Sequence, residues 1–236
     1  ASSDDKLRKL TVATKQVVEL DSSHYGGFGG PVWSPDGKWI AYSKQDATRT
    51  SDIYMISASG AEKEPHRITF DSNNDTNPDF APDGRKLFFQ RVEATAGGNT
   101  QLPNSVQIYS VWLERQDKDP DDPEERAEAE QAERPAPAAE GGEGAAPPVR
   151  PRPQANRPPR EIKVDWDGLK RRTRQVTRMP FPIFNYTIAP DSRTIVFVTS
   201  EPAGPANIPV IYSIQDDGRR LTRVTAGQPP NDGTGG

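Results

Sequence analysis

A ten-residue pattern that occurs three times constrains the fold of this chain more than any other feature of its sequence. The three copies are residues 33–42 (WSPDGKWIAY), 80–89 (FAPDGRKLFF) and 188–197 (IAPDSRTIVF). In each copy a proline fixes φ at the first turn position and an aspartate follows it. Gly37 and Gly84 then supply the left-handed residue that closes a type I turn with a bulge. The pattern therefore predicts a β-hairpin at each copy.

The third copy departs from the other two at the turn, where Ser192 stands in place of glycine. A left-handed serine costs about 1 kcal/mol more than a glycine, so the same turn is expected there with some strain. The strand after each turn is almost wholly apolar and rich in β-branched and aromatic residues, which predicts a strand covered on both faces. We therefore expect sheets that stack against other sheets.

Two further strands are predicted after each hairpin, and the last of them share a pattern. Residues 67–69, 175–177 and 223–225 each combine a polar residue, Ile or Val, and threonine. Pro35 and Pro82 lie 47 residues apart, close to the length of one four-stranded unit.

Four antiparallel strands repeated at this period predict an all-β fold, the β-propeller. The chain is expected to form a partial propeller of about three complete blades and one partial blade. The complete blades are predicted over residues 31–70, 78–178 and 185–225, and the partial blade over residues 7–20.

Residues 116–160 interrupt the second predicted blade. These 45 positions contain ten prolines but only one large apolar residue, Val149, so they cannot bury enough surface to offset the entropy of ordering. Eleven acidic residues fall between positions 117 and 143. We predict a disordered acidic, proline-rich insertion, either an arm for a partner or a tolerated loop, and a flexible tail at 227–236.

Composition excludes several classes of protein and site. The sequence has no run of 18 apolar residues, so no membrane span is predicted, and its net charge of −4 gives no reason to expect nucleic acid as a partner. The absence of cysteine excludes disulfides, thiolate nucleophiles and cysteine metal sites. It leaves cytoplasm and periplasm both open as compartments, of which we favour the periplasm.

Candidates for catalysis are few. His24 lies in a glycine-rich loop and His66 on a predicted outer strand, and the chain contains no Gly-x-Ser-x-Gly elbow that would pair a serine with a base. We assign no catalytic residue and expect both histidines to be ordinary structural residues. The large aromatic side chains are expected in the core instead of a ligand cage: Trp33, Trp39, Tyr42, Phe80, Phe88 and Phe197.

Two other groups of polar residues are candidate binding sites. Oxygen-bearing side chains alternate along residues 71–79, but Thr76 and Pro82 occupy the places where a helix-loop-helix calcium loop needs glycine and glutamate. A polar connection between blades is expected there, without metal or other cofactor. Arg171 and Arg172 could meet a carboxylate, although paired arginines on an outer strand are expected to be solvated. No substrate-binding residue is assigned.

The hairpin of residues 34–42 and the Asp-Ile-Tyr strand at 52–54 resemble the blades of TolB-type propellers and of tricorn peptidases. The acidic insertion followed by residues 162–172 (IKVDWDGLKRR) looks more specifically like the second propeller of bacterial tricorn-type serine peptidases. That resemblance implies a non-catalytic propeller that channels or filters peptides for a separate peptidase core with a PDZ domain.

Three blades and a remnant do not close a ring, so further blades from the rest of the parent chain, or from further copies, are expected as partners. Peptides or unfolded protein segments are the partners that the resemblance implies. Two alternatives stay open: a TolB-like scaffold for protein interactions, and the gating propeller of a prolyl-oligopeptidase-like enzyme.

Overall fold

The computed structural model describes residues 5–60, 62, 64–70, 73–93, 105–116, 160–203 and 206–225 of the 236. By its contacts the chain divides into one unit of residues 1–114 and 160–236 and a second unit of residues 115–159. Only Arg115 and Gln116 of the second unit are described. The predicted disordered insertion at 116–160, apart from its first and last residues, and the predicted tail at 227–236 lie outside the described residues.

The described residues form three four-stranded antiparallel sheets and one two-stranded sheet. The two-stranded sheet, here called the half-blade, contains β1 (Lys6–Thr11) and β2 (Gln16–Ser22). The first blade contains β3 (Phe28–Trp33), β4 (Trp39–Gln45), β5 (Ser51–Ser57) and β6 (His66–Arg67). The second contains β7 (Asn74–Phe80), β8 (Lys86–Glu93), β9 (Ser105–Trp112) and β10 (Thr173–Gln175), with a 3-10 helix at Leu169–Arg172 before β10. The third contains β11 (Asn185–Ile188), β12 (Thr194–Ala203), β13 (Ala206–Gln215) and β14 (Thr222–Arg223).

Strands follow one another in sequence order within every blade, which confirms the predicted propeller class. In the second blade β9 and β10 are neighbours even though the insertion separates them in sequence. At the base of the insertion the Arg160 guanidinium donates to both carboxylate oxygens of Glu114, at 3.0 and 2.8 Å. No helix among the described residues has the length and apolar character needed to cross a membrane.

The three predicted turns have the expected backbone conformation. Gly37 and Gly84 have φ values of 70° and 73°, and Ser192 has a φ of 61°. The amide of each of these residues donates to the carbonyl three residues earlier, at 2.8 to 3.0 Å. The serine therefore adopts the left-handed conformation that the other two copies give to glycine, and the predicted strain is present.

Three apolar cores lie between successive sheets, and the second strands of the first two blades, β4 and β8, each contribute to two of them. In β8, Leu87 and Phe89 belong to the core between the first and second blades, whereas Phe88 belongs to the core between the second and third. In β4, Ile40 and Tyr42 pack against the half-blade. This alternation explains why the strands after the first two turns are apolar at nearly every position.

The shared pattern of the fourth strands has a structural cause in its threonines. The hydroxyls of Thr69, Thr177 and Thr225 accept hydrogen bonds from backbone amides of the third strands, at 3.0, 2.8 and 3.2 Å. Each threonine thus extends the pairing between third and fourth strands beyond the two or three residues that form the ladder. The amides that donate belong to Ile53, Ile108 and Ile211.

Candidate functional site

The antiparallel order places the loops of each blade at two opposite ends. Turns between first and second strands and connections between third and fourth strands share one end, here called the turn end. Loops between second and third strands, and those between successive blades, share the other. His24 lies in the loop between the half-blade and the first blade, whereas His66 begins β6 at the turn end. The topology therefore does not bring the two histidines into one site.

Each histidine has aromatic neighbours. The His24 ring meets the Tyr25 ring edge-on, with centroids 6.5 Å apart. The His66 ring stacks on Trp166 with centroids 3.7 Å apart and an interplanar angle of 9°, and its Nε2 lies 3.6 Å from a Glu62 carboxylate oxygen. Within the described ranges no hydrogen bond connects either histidine with a serine hydroxyl.

The segment after the insertion, residues 160–168, forms a strap across the turn end of the first and second blades. The Ile162 amide donates to Asp36 Oδ2 at 2.8 Å, and Glu161 pairs with Lys38 at 2.5 Å. The Ile162 side chain is buried, in the core between the two blades, and lies against Gly84. The strap thus connects the turn of the first blade with the turn of the second.

Asp36 is central to this connection because its two carboxylate oxygens serve different elements. Oδ1 accepts from the Ser34 hydroxyl and the Lys38 amide within its own turn, while Oδ2 accepts from Ile162 of the strap. Burial acts to raise the pKa of Asp36, but these hydrogen bonds outweigh it and hold the pKa below its ordinary value.

The second half of the strap is held by aromatic and guanidinium contacts. Trp166 stacks on His66 and meets Trp39 edge-on, with centroids 5.3 Å apart. The Arg172 guanidinium donates to the carbonyls of Leu113 at 2.8 Å and Asp167 at 3.0 Å, and also to that of Asp165. The expectation of a solvated Arg172 is therefore wrong, because its guanidinium binds carbonyls of the Asp-Trp-Asp-Gly loop at residues 165–168. Arg171 is exposed, as expected.

A groove of about 540 Å³ lies at the turn end between the half-blade and the first blade. Its lining includes two tryptophans, two lysines, one glutamate and one isoleucine: Trp33, Trp39, Lys9, Lys38, Glu161 and Ile162. Lys9 donates to the Ala58 carbonyl at 2.5 Å. Since Lys38 pairs with Glu161 and Lys9 donates to a carbonyl, the two tryptophans are what the groove offers, and they favour an apolar or aromatic group.

Trp33 corrects one expectation about the core. Its side chain is 53% exposed, whereas Phe80 at the same position of the second blade is 5% exposed. Among the described strands, a complete blade packs over Phe80, whereas the two strands β1 and β2 lie on the Trp33 side. Tyr42, Phe88 and Phe197 are fully buried, as expected.

Oxygen-bearing side chains of residues 73–79 form hydrogen bonds and an ion pair with other protein groups, and Asn74 Oδ1 accepts from the Ser51 amide of the first blade at 3.0 Å. Asp75 forms a buried two-point ion pair with Arg91, at 2.7 and 2.8 Å, and Asn77 donates to Gln90 at 2.5 Å. Residues 71 and 72 lie outside the described residues. In the described part of the chain no group of three or more histidine, aspartate or glutamate side chains is placed to hold a metal ion.

Sequence similarity connects the chain with tricorn-type proteases. No protein-family profile matches it. A curated relative, the putative tricorn-like protease C-terminal subunit of Sulfurisphaera tokodaii, is 35% identical over 78 residues. The match covers 33% of this chain but only 9% of that relative.

Solved structures share the fold at low sequence identity. Tricorn protease matches with a TM-score of 0.60 and 12% identity, over 93% of this chain and 20% of the protease. A puromycin-hydrolyzing peptidase of Mycobacterium tuberculosis matches with a TM-score of 0.54 and 10% identity, over 95% of this chain and 28% of the peptidase. TolB from Acinetobacter baumannii matches with a TM-score of 0.50 and 17% identity, over 93% of this chain and 37% of TolB. This chain therefore resembles the propeller region of tricorn-type proteases, as predicted from the hairpin motif, the insertion and residues 162–172.

Proposed function

We propose that this propeller segment, similar in fold to tricorn protease, is a non-catalytic part of a tricorn-like serine peptidase. In this role it handles or gates peptide substrates for a peptidase core outside this chain. The observation that carries the proposal is the 78-residue match to a tricorn-like protease subunit, combined with the same propeller fold in tricorn protease itself.

The arrangement of the described residues agrees with a non-catalytic role. The two histidines lie at opposite ends of their sheets, and His66 is stacked against Trp166. The buried aspartates Asp52 and Asp75 are engaged by Arg67 and Arg91, which leaves neither poised to orient a histidine. A peptide could bind in the groove at the turn end, which is lined by two tryptophans and two lysines.

Two other functions compete with this proposal. A TolB-like scaffold would use the same blades to bind partner proteins, and a prolyl-oligopeptidase-like enzyme would use them to gate an α/β-hydrolase core. The solved structures match at 10 to 17% identity, so they support the fold alone and do not distinguish the three functions. The sequence match to a tricorn-like protease subunit therefore favours the tricorn type.

The test has a sequence arm and a binding arm. The parent reading frame beyond Gly236 should encode a PDZ domain and a serine peptidase core, whereas a Gly-x-Ser-x-Gly hydrolase would support the third function. Fluorescent peptides of mixed sequence should bind the purified chain saturably, by anisotropy, and remain uncut by mass spectrometry. Cleavage that disappears in His24→Ala or His66→Ala would overturn the non-catalytic role, and the absence of saturable peptide binding would overturn peptide handling.

A further inference from the structure

The fourth strands of the second and third blades each have an open edge. Among the described strands, β10 pairs only with β9, and β14 pairs only with β13. An edge strand presents unpaired backbone N–H and C=O groups, which can pair with a strand from another molecule. Both blades are complete four-stranded sheets, so these outer edges are open independently of the half-blade.

A pair of arginines precedes the fourth strand in each of these two blades. Counted back from the threonine that closes each fourth strand, residues 171–172 of the second blade and 219–220 of the third blade occupy the same places, and all four are arginine. The first blade has lysine and glutamate there, at residues 63–64, and it forms the same four-stranded sheet. A blade therefore forms without the arginine pair.

The segments around these pairs are basic, although the net charge of the chain is −4. Residues 168–178 contain five basic residues and no aspartate or glutamate, and residues 218–225 contain three basic residues and neither acid. In the first blade, residues 61–70 contain two acidic residues beside one lysine and one arginine. The positive charge is therefore confined to the outer edges of the second and third blades.

Three of the guanidinium groups are accessible to a ligand. Arg171, Arg178 and Arg220 are exposed, and among the described residues none of their side chains forms a hydrogen bond or an ion pair. Arg223 differs, because it pairs with a Glu201 carboxylate oxygen at 3.1 Å. A guanidinium matches a carboxylate in a two-point geometry, so acidic side chains are the groups that these arginines favour.

We propose that the outer edges of the second and third blades are docking sites for an acidic, extended segment of a partner protein. The segment adds a fifth strand beside β10 or β14, because a polypeptide, unlike a nucleic acid, can pair with an open backbone edge. Arg171 lies before β10 and Arg178 after it, so acids near both ends of a segment on the second blade have a partner. On the third blade Arg220 binds the acid. This inference goes beyond the proposed function, since it uses other blades than the turn-end groove and requires no peptidase core.

Fluorescence anisotropy with a labelled peptide tests these docking sites. The probe has about twelve residues of alternating threonine and glutamate, so that an extended strand carries all its acids on one face. The test variant carries three substitutions: Arg171→Gln, Arg178→Gln and Arg220→Gln. The matched control removes three exposed cations elsewhere: Lys15→Gln, Arg49→Gln and Arg85→Gln. We expect saturable binding to the parent chain, a loss of about tenfold or more in affinity for the test variant, and a change below about twofold for the control.

Three results would overturn the proposal. The first is equal affinity of the test and control variants, or no saturable binding by the parent chain. The second is undiminished binding of probes that carry N-methyl groups on alternate amides, in either register, because these keep their charge but cannot pair as a strand. The third is an oligothymidylate of equal charge that binds as tightly as the probe, which would show general binding of polyanions.

These results are separate from the test of the proposed function. The test variant leaves every residue of the turn-end groove unchanged, so its binding of mixed-sequence peptides should equal that of the parent chain. Binding of the acidic probe without binding of mixed-sequence peptides would remove peptide handling and leave the docking sites intact. The reverse result would remove only the docking sites.

Discussion

Replacing glycine by alanine at two equivalent turns isolates the contribution of the strap. Gly37 and Gly84 have φ values of 70° and 73°, so Gly37→Ala and Gly84→Ala both place a side chain in the left-handed region. This conformation costs each variant about 1 to 2 kcal/mol relative to glycine. The backbone cost is therefore the same for the two substitutions.

The two positions differ in what the new methyl group meets. A Cβ on Gly84 would lie 2.7 Å from Cγ1 and 3.0 Å from Cδ1 of Ile162, whereas a Cβ on Gly37 meets nothing within 4 Å. Forcing an extra methyl into a packed site costs roughly 1–3 kcal/mol beyond the backbone cost. We expect Gly37→Ala to lower the free energy of unfolding by about 1 to 2 kcal/mol, and Gly84→Ala by about 2 to 5 kcal/mol.

Urea unfolding followed by circular dichroism and by tryptophan fluorescence measures both values. Because Ile162→Ala removes the clash but also empties a buried position, Gly84→Ala combined with Ile162→Ala should be destabilised by less than the sum of the two single losses. Equal destabilisation by the two single substitutions would refute the packing of the strap against the second blade.

Three further predictions concern the turns and the boundaries between blades. Ser192→Gly relieves the left-handed strain but loses the hydroxyl that accepts from the Asp83 amide, so its free energy of unfolding should stay within about 1 kcal/mol of the parent value. Ser192→Ala keeps the strain and loses the hydroxyl, so its free energy of unfolding should be lower than the parent value by about 1 kcal/mol. Thermal melts in which the alanine variant is more stable than the glycine variant would contradict this. Lys86 is 3% exposed, and its ammonium lies 2.7 Å from an Asp216 carboxylate oxygen and 4.1 Å from the Trp112 ring centroid. Lys86→Met leaves the Asp216 charge buried and unpaired by Lys86, so it should lower the free energy of unfolding in urea by about 3 to 5 kcal/mol. A loss below about 1 kcal/mol would show that the ion pair contributes little. Hydrogen bonds hold the pKa of Asp36 in the folded protein below its ordinary value, so the stability that its carboxylate contributes is complete above the ordinary pKa and is lost as pH falls through the folded-state pKa. Between about pH 2 and 6, the urea midpoint of Asp36→Asn should therefore fall less steeply with acid than that of the parent chain. Parallel curves for the two proteins would show that the Asp36 carboxylate does not stabilise the fold.

Local turn chemistry made much of the fold predictable from the sequence. The Pro-Asp-Gly pattern specified both the hairpins and the sign of φ, including the left-handed Ser192. The threonine at the end of each fourth strand gave a second periodic signal, which the structure explains by its bond to a third-strand amide. These features depend on neighbours close in sequence or on a repeated period, and both leave a pattern in a single chain.

The strap contacts could not be predicted in the same way. Ile162 reaches Asp36 across 126 positions of sequence, and no periodicity connects the two residues. Arg172 binds backbone carbonyls, which any residue type presents, so its partners leave no trace in the sequence. The exposure of Trp33 depends on which strands lie beside it, although its residue type and position are those of a core residue.

The central claim is that these sheets are consecutive radial blades of a larger propeller. Electron cryomicroscopy of the full parent protein tests it most directly. We expect the three blades and the half-blade to lie side by side around one axis, with a peptidase core after them in the chain. A map in which the three Pro-Asp-Gly or Pro-Asp-Ser turns belong to one continuous sandwich would contradict the account.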